Sequence, residues 1–143
     1  MEHQVEKAKK NATEPQRILS KADVTRSWWL WWFSVEVANS FERLQALACC
    51  ISMIPVLRKL YKKGDEFNAA LKRHLQFFNT ESTWGAITLG IAVAMEEQKA
   101  MGEEIPDETI NSIKLGLMGP FAGIGDTINW LHCFPFSLDF LYQ

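Results

Sequence analysis

Residues 110–130 read INSIKLGLMGPFAGIGDTINW, a stretch that sets glycine, proline and one acid into an otherwise apolar context. Its first part has the pattern of a helix that begins with Asp107 as N-cap and ends at Gly119-Pro120. The small residues beyond that point predict a broken helix whose freed backbone groups can face a polar ligand or water. The predicted hinge consists of Gly119, Pro120, Gly123 and Gly125.

Asp126 follows this hinge directly and has two interpretations. An acid close to membrane depth is by default a functional residue. The other interpretation is a glycine-rich turn in which Asp126 caps the next helix, and the residues alone favour this one. A phosphate-binding glycine loop does not fit, because no strand precedes the glycines. No strand alternation or hairpin signal is found along the sequence, which predicts an all-α fold.

A long helical segment is predicted upstream, beginning at Ser20 with the spacing of a capping box to Asp23. Pro55 is expected to break or kink it. Within it, polar residues spaced for one helix face form a single stripe on an otherwise apolar helix. Such a stripe faces the protein interior or a watery cavity, or it holds an internal ion pair. The stripe and its flanks comprise Glu36, Asn39, Glu42, Arg43 and Gln45.

The tryptophan run Trp28, Trp29, Trp31 and Trp32 is the most unusual feature of the composition. Indoles are enriched at membrane interfaces, where an apolar ring and a polar N–H are both satisfied. Adjacent positions point around a helix and cannot all face one ligand, so the run predicts an interfacial belt. Basic residues upstream place the start of the chain on the cytoplasmic side.

Two further segments predict helices at a membrane surface or against other helices. Residues 66–78 are amphipathic, with His74 on the apolar stripe, where a buried and satisfied histidine is expected. Residues 82–95 carry no charge but are too short for a full span, and Glu96 begins a stretch expected to be solvated. The basic cluster at residues 58–63 could meet anionic headgroups, an acidic partner or only solvent.

Bulk composition excludes several classes of function. A net charge of −2 gives no basic field for nucleic acid, and 48% apolar residues argue against disorder. Cys49, Cys50 and Cys133 show neither disulfide nor zinc spacing. The first 26 residues do not have the pattern of a signal peptide. No nucleophile arrangement or metal motif is present, so we expect no catalysis, no cofactor and no metal.

Four phrases resemble the IID family of mannose-type sugar phosphotransferase systems, in the family's order and spacing. They are SFERLQALACCISMIPVLRKLY, EFNAALKRHLQFFNT, LGIAVAMEEQKAMG and INSIKLGLMGPFAGIGDTINW, within residues 18–130. The resemblance implies an all-α, membrane-associated protein with amphipathic and interfacial helices and a glycine-broken segment. It also implies a non-catalytic subunit of the bacterial inner (plasma) membrane.

By this resemblance the partners are a IIC membrane subunit and a IIB (IIAB) phosphocarrier, with a hexose as substrate and membrane lipids around the complex. Phosphoryl transfer belongs to IIA and IIB, which argues against phosphorylation of His74. The chain would form a hetero-oligomer with IIC and bind no nucleic acid. Residues that could hydrogen-bond sugar hydroxyls are Asn39, Glu42, Arg43, Gln45 and Asp126.

Three segments follow from the sequence. Residues 1–19 are expected to be a flexible cytoplasmic lead-in, and residues 20–130 to be the IID-like helical domain, the N-terminal half of the family domain. Residues 131–143 do not resemble the family and suggest a divergent tail on a truncated chain. A peripheral all-α interaction module and a non-functional remnant of a IID subunit are the alternatives.

Overall fold

Five α-helices build the fold in the computed structural model, which describes residues 17–62 and 64–141, with side chains as far as Asn129. The helices are α1 (Lys21–Ser34), α2 (Ala46–Leu60), α3 (Asp65–His74), α4 (Ser82–Ala100) and α5 (Asp107–Leu141). Within the described ranges there is no β-strand, only two isolated bridges, Ser40 to Leu44 and Leu44 to Phe78. The predicted all-α class is confirmed.

Helix α1 begins as its sequence predicts. The Ser20 side chain accepts from the backbone N–H of Asp23, and the Asp23 carboxylate accepts from the backbone N–H of Ser20, 2.8 Å away. This reciprocal capping satisfies two of the free donors at the helix start. The helix then packs along α2, where the Ser27 hydroxyl donates to the carbonyl of Ser52 at 2.6 Å. Both serines are buried, so this bond fixes the register of the two helices.

The prediction of one continuous helix from Ser20 to Pro55 is wrong. Helix α1 ends at Ser34, α2 begins at Ala46, and residues 35–45 form turns. Leu44 has a positive φ of 47°, and the Ser40 hydroxyl accepts from the backbone N–H of Arg43 at 3.1 Å. Serine side chains that bond nearby backbone offer the chain an alternative to the helix. The polar stripe is therefore a loop rather than a helix face.

Pro55 does not break α2, which continues through it to Leu60. Proline removes one helical hydrogen bond, but most helix stability in proteins comes from tertiary packing. Met53, Val56 and Leu57 are fully buried against the neighbouring helices and hold α2 together across the proline.

Helix α3 confirms the amphipathic pattern. Gly64 precedes it with a φ of 153°, a conformation that side-chain-bearing residues rarely adopt. Ala70 and His74 on the predicted apolar stripe are completely buried. Phe78, the last residue of that stripe, lies beyond the helix end at His74 and is buried as well.

Helix α5 runs without interruption from Asp107 to Leu141, so the predicted end at Gly119-Pro120 is wrong. Asp107 is its first residue rather than its cap. Packing against α4 supports the helix beyond the proline, since Gly125 lies against the side chain of Glu81. The Thr127 hydroxyl also donates to the carbonyl of Gly123 at 2.7 Å. Tertiary contacts here override the weak helix propensity of glycine and proline.

Candidate functional site

A buried carboxylate, Glu96 of α4, lies at the centre of a charged network between four helices. Its two oxygens accept four hydrogen bonds. Arg73 of α3 supplies two, at 2.8 and 3.0 Å, the Tyr61 hydroxyl supplies one at 2.7 Å, and His74 Nε2 supplies one at 2.8 Å. Glu96 and His74 are 0% exposed and Arg73 is 5% exposed. Burial raises the pKa of Glu96, but the bonds from His74 and Arg73 lower it to about 2.

Lys114 of α5 closes the network from the other side and fixes the histidine tautomer. Its ammonium lies 3.4 Å from His74 Nδ1 and 5.7 Å from the centre of the Phe78 ring, and the residue is 3% exposed. Because an ammonium can only donate, Nδ1 accepts and the ring proton is on Nε2, facing Glu96. Burial lowers the pKa of His74, so this imidazole is neutral. The expected buried and satisfied histidine is confirmed.

Asp107 joins the outer edge of the network. Its carboxylate pairs with Arg73 Nη1 and, at 2.8 Å, with Lys99. Hydrogen bonding to Lys99 lowers the pKa of Asp107. Four helices are thus tied to one carboxylate and its cations, an arrangement that immobilises helices and leaves no free nucleophile or base. In the part of the chain with described side chains, no three metal-ligating groups converge.

Sequence reasoning missed this network, because it assigned Glu96 to a solvated stretch. The available signal was Lys114, a single charge in the apolar run INSIKLGLM, four residues after the buried Ile110. That spacing places the lysine on the buried face of α5. A buried lysine requires a polar partner, and the acids that precede it in the sequence, Glu96 among them, are candidates for such a buried network.

The loop of residues 35–45 holds four of the five predicted sugar-binding residues. Asn39, Glu42 and Arg43 are exposed on it. Gln45 is buried, and its side-chain oxygen accepts from the backbone N–H of Thr80 at 3.0 Å. That bond, with a second from the Gln45 N–H to the Phe78 carbonyl at 2.9 Å, anchors the loop to the start of α4. Gln45 thus has a structural role in this arrangement.

The expected internal ion pair is absent from this loop. Across the described residues neither Glu36 nor Glu42 pairs with Arg43. Glu36 instead accepts from the hydroxyl of Ser82, and Arg43 lies 3.5 Å from the carbonyl of Leu75. Asp126, the fifth predicted residue, is exposed on α5, and no described hydrogen bond or ion pair connects it to the loop.

The tryptophan run divides into two environments. Trp31 is completely buried, donates its indole N–H to the carbonyl of Ser82 at 2.8 Å and contacts the Phe78 ring edge-on. The assignment of Trp31 to a membrane interface is therefore wrong: its face of α1 is the one that packs on the core. Trp28, Trp29 and Trp32 are 39%, 51% and 41% exposed and remain available for an interface.

The hinge residues lie on one continuous helix. Gly119, Pro120 and Gly123 are exposed, and a methyl group added at either of these two glycines would meet open space. Gly125 is buried, and its position leaves no room for a side chain beside Glu81. The Glu81 carboxylate caps α4 by accepting hydrogen bonds from the backbone N–H groups of Thr83 and Trp84, each at 2.9 Å. It also accepts one from the side-chain amide of Asn129 at 2.7 Å.

The family model described as the mannose/fructose/sorbose IID component of the phosphotransferase system matches residues 18–140. The chain belongs to this IID family. The match extends beyond Trp130, where the last of the four family-like phrases ends.

Curated relatives agree with this assignment. The mannose-specific EIID component of Escherichia coli (strain K12) is 53% identical over 92 residues, which are 64% of this chain and 32% of the relative. The sorbose-specific EIID component of Lacticaseibacillus casei is 50% identical over 95 residues, 66% of this chain and 34% of the relative. The IID chain therefore spans about a third of the length of these relatives.

Solved structures show the same likeness. A cryo-EM structure of the mannose transporter ManYZ with microcin E492 contains a chain with a TM-score of 0.76 and 43% identity. That alignment covers 80% of the IID chain and 42% of the other. A second structure, of a membrane protein, gives a TM-score of 0.69 and 45% identity over 76% of the IID chain and 40% of that chain. Within the described ranges, none of the helices combines the length and apolar character that a bilayer span requires.

Two glycines of α5 should respond oppositely to alanine. Gly125→Ala would place its methyl group 2.7–2.8 Å from the Glu81 side chain, so we expect a loss of about 1–3 kcal/mol in unfolding free energy. Gly123→Ala meets open space and should gain up to about 1 kcal/mol through helix propensity. Urea titration followed by circular dichroism measures both. Equal effects at the two positions would contradict the close approach of Gly125 to Glu81.

Stability of the IID chain should fall on acidification. The unfolded His74 takes a proton near its ordinary pKa while the buried ring stays neutral, so the loss begins below about pH 6.5. The Glu96 carboxylate, whose folded pKa is about 2, adds a further loss on the order of 2–3 kcal/mol as the pH falls from 5 toward 2.

The other titratable groups facing this centre are Tyr61, Arg73, Lys99, Lys114 and Asp107. The pKa values of Tyr61 and Arg73 are raised by burial of the Tyr61 hydroxyl and by the contacts of both groups with Glu96, so neither group changes charge in that pH range, and the pKa of Asp107 is lowered, as is that of Glu96. The measurement is the urea midpoint at a series of pH values from 8 to 3. An exposed-site control, Glu104→Gln, should retain the same profile. A midpoint that is constant or rises on acidification would show that the centre is not charged as described.

Proposed function

We propose that this IID chain acts in a mannose-type sugar phosphotransferase system of the bacterial plasma membrane. It forms with a IIC subunit the path by which a hexose crosses, coupled to phosphorylation of the sugar by IIB. The observation that carries the proposal is the likeness to a chain of the ManYZ mannose transporter, with a TM-score of 0.76 at 43% identity. Phosphoryl transfer is assigned to IIA and IIB partners, and the chain itself is a non-catalytic transport subunit.

Exposed apolar side chains support a buried location in a complex. On the loop between α1 and α2, Val37 is 83% exposed and Phe41 is fully exposed, and Phe33 at the end of α1 is 74% exposed. Large apolar side chains that are this exposed become favourable when a partner protein or a membrane covers them. We assign Phe41 and Val37 to the contact with IIC, and the neighbouring Trp29 face of α1 to lipid.

The loop carrying these residues also presents the polar groups proposed to meet the sugar. Asn39, Glu42 and Arg43 are exposed and carry amide, carboxylate and guanidinium groups within two residues of Phe41 in the sequence. Gln45 positions the loop through Thr80, so its contribution to sugar binding would be indirect. Asp126 is proposed as a separate contact on α5.

The test is co-expression of the affinity-tagged chain with its IIC subunit in a cell that lacks its own IID protein. We expect the chain to stay in the membrane fraction after a carbonate wash and to recover IIC in detergent. Phe41→Asp should reduce the IIC recovered at least tenfold, because a charge placed in an apolar interface costs more than about 1.4 kcal/mol. Glu108→Gln, a change at an exposed position of α5, is the matched control.

Release of the chain by carbonate, together with no recovery of IIC, would replace this proposal with a peripheral module at the bilayer surface. Retention in the membrane with unchanged IIC recovery by Phe41→Asp would keep the membrane role and reject the loop as the IIC contact.

A further inference from the structure

An open groove with a volume of about 430 Å³ runs between α1 and α2. Its two walls are antiparallel, since Asp23 at the start of α1 pairs with Lys59 at the end of α2 while Ser27 bonds Ser52 further along. The groove therefore has one end near residue 23 and the other near residue 30. These two ends differ in chemistry.

One end is cationic. Arg26 of α1 and Arg58 and Lys59 of α2 line it, together with the single carboxylate of Asp23. Hydrogen bonds from Lys59 and Ser20 lower the pKa of Asp23 to about 2. That carboxylate is therefore charged, and it already accepts hydrogen bonds from both residues. Arg26 and Arg58 form no ion pair within the described residues. Two guanidinium groups are thus free to bind an anion, and a guanidinium fork matches phosphate geometry.

The other end is apolar. Leu30 of α1 and Ile51, Ile54 and Pro55 of α2 form its walls. The apolar surface continues past the groove on both helices. Phe33 follows Leu30 by three residues and Leu47 precedes Ile51 by four, spacings that place each on the same helix face as its neighbour. Phe33 is 74% exposed and Leu47 is 44% exposed.

We propose that this groove binds a glycerophospholipid with an anionic headgroup. Arg26 and Arg58 hold the headgroup phosphate, and an acyl chain follows Leu30, Ile51 and Ile54 onto the exposed Phe33 and Leu47. A ligand with a charged head and an apolar tail matches the groove at both ends, whereas free phosphate leaves the apolar end empty. The proposal rests on the membrane role proposed above, and it gives α1 and α2 a specific lipid contact.

Native mass spectrometry of the full chain in mild detergent tests it, with dihexanoyl phosphatidylglycerol as the probe. Dihexanoyl phosphatidylcholine has the same chains without net charge, and glycerol 3-phosphate has the phosphate without chains. We expect phosphatidylglycerol to bind at least tenfold more tightly than either. The double substitution Arg26→Gln/Arg58→Gln should weaken it about tenfold or more, since each basic group near an anionic lipid adds appreciable affinity.

Lys62→Gln/Lys72→Gln removes the same charge from exposed positions outside the groove and should change binding less than twofold. An equal loss in this control would overturn the site in favour of general charge attraction. Equal binding of the two lipids, or of glycerol 3-phosphate, would overturn the amphiphile assignment. Capture of purified IIB that needs both arginines, without a preference for phosphatidylglycerol, would assign the groove to an acidic protein surface instead.

Failure of the lipid proposal is distinguishable from failure of the transport proposal. Recovery of IIC by the wild-type chain reports on the transport role and does not involve the arginine variants. Loss of lipid selectivity with intact IIC recovery rejects the groove alone, and absence of IIC recovery with intact selectivity rejects the transport role alone.

Discussion

Glu96→Ala is expected to lower the free energy of unfolding by about 3–5 kcal/mol, the range found when one partner of a buried ion pair is removed. Arg73 would keep its charge in an almost fully buried position, with only the half-exposed Asp107 left as a counter-ion. The Tyr61 hydroxyl and His74 Nε2 would each lose an acceptor. Buried donors without acceptors add about 1–3 kcal/mol apiece, so several helices loosen together.

Urea titration monitored by far-UV circular dichroism measures this loss, and Glu104→Ala is the matched control. Glu104 is exposed and should change stability by less than about 0.5 kcal/mol. Glu96→Gln keeps the shape and one acceptor oxygen, so its cost should lie between the two. A loss below about 1 kcal/mol for Glu96→Ala would mean that Arg73 and His74 find other partners, contrary to the described geometry.

The network has a direct route to the loop that carries the proposed sugar and IIC contacts. Lys114 lies over the Phe78 ring, and Phe78 accepts from Gln45 through its backbone carbonyl. Gln45 in turn accepts from Thr80 at the approach to α4. The buried charges therefore stabilise the segment around Phe78 and Thr80 to which Gln45 anchors the loop. The exposed side chains of residues 35–45 remain available to a ligand. Rigid support under an adaptable loop is a common arrangement for binding residues.

Local sequence signals predicted the parts of the fold that depend on neighbouring residues. The capping box at Ser20 and Asp23 and the amphipathic face of α3 both involve partners within a few positions, and both are found. Such features are encoded by short-range hydrogen bonds and helical spacing.

Features decided by distant contacts were not predictable in this way. Pro120 was expected to end α5, but packing against α4 carries the helix past it. Glu96 belongs to a charged run in the sequence, and only the approach of α3 and α5 shows that it is buried. The candidate site was affected equally. The sequence pattern predicts Gln45 just beside the helix face that carries Arg43, whereas the turn at Leu44 gives the two residues separate roles.

Trp31→Ala should cost about 3–5 kcal/mol of unfolding free energy, the range for truncating a large buried aromatic side chain. Its ring fills the space beside Gly85, where an added methyl carbon would lie 2.9 Å from Trp31 Cζ2, and its N–H bonds Ser82. Because the first turn of α4 rests on this indole, α1 and α4 should separate together. Urea titration, with Trp31→Phe as a partial replacement, measures the loss.

Trp29→Ala is the informative comparison, since both indoles belong to one helix and differ only in the side they face. Trp29 is 51% exposed and stacks on Phe33, so its removal should change stability by less than about 0.5 kcal/mol. If its face of α1 meets lipid, the same change should weaken binding to phosphatidylglycerol vesicles, because interfacial indoles contribute to membrane affinity. A large loss of stability with unchanged vesicle binding would place Trp29 in the core and contradict the division of the tryptophan run into buried and interfacial members.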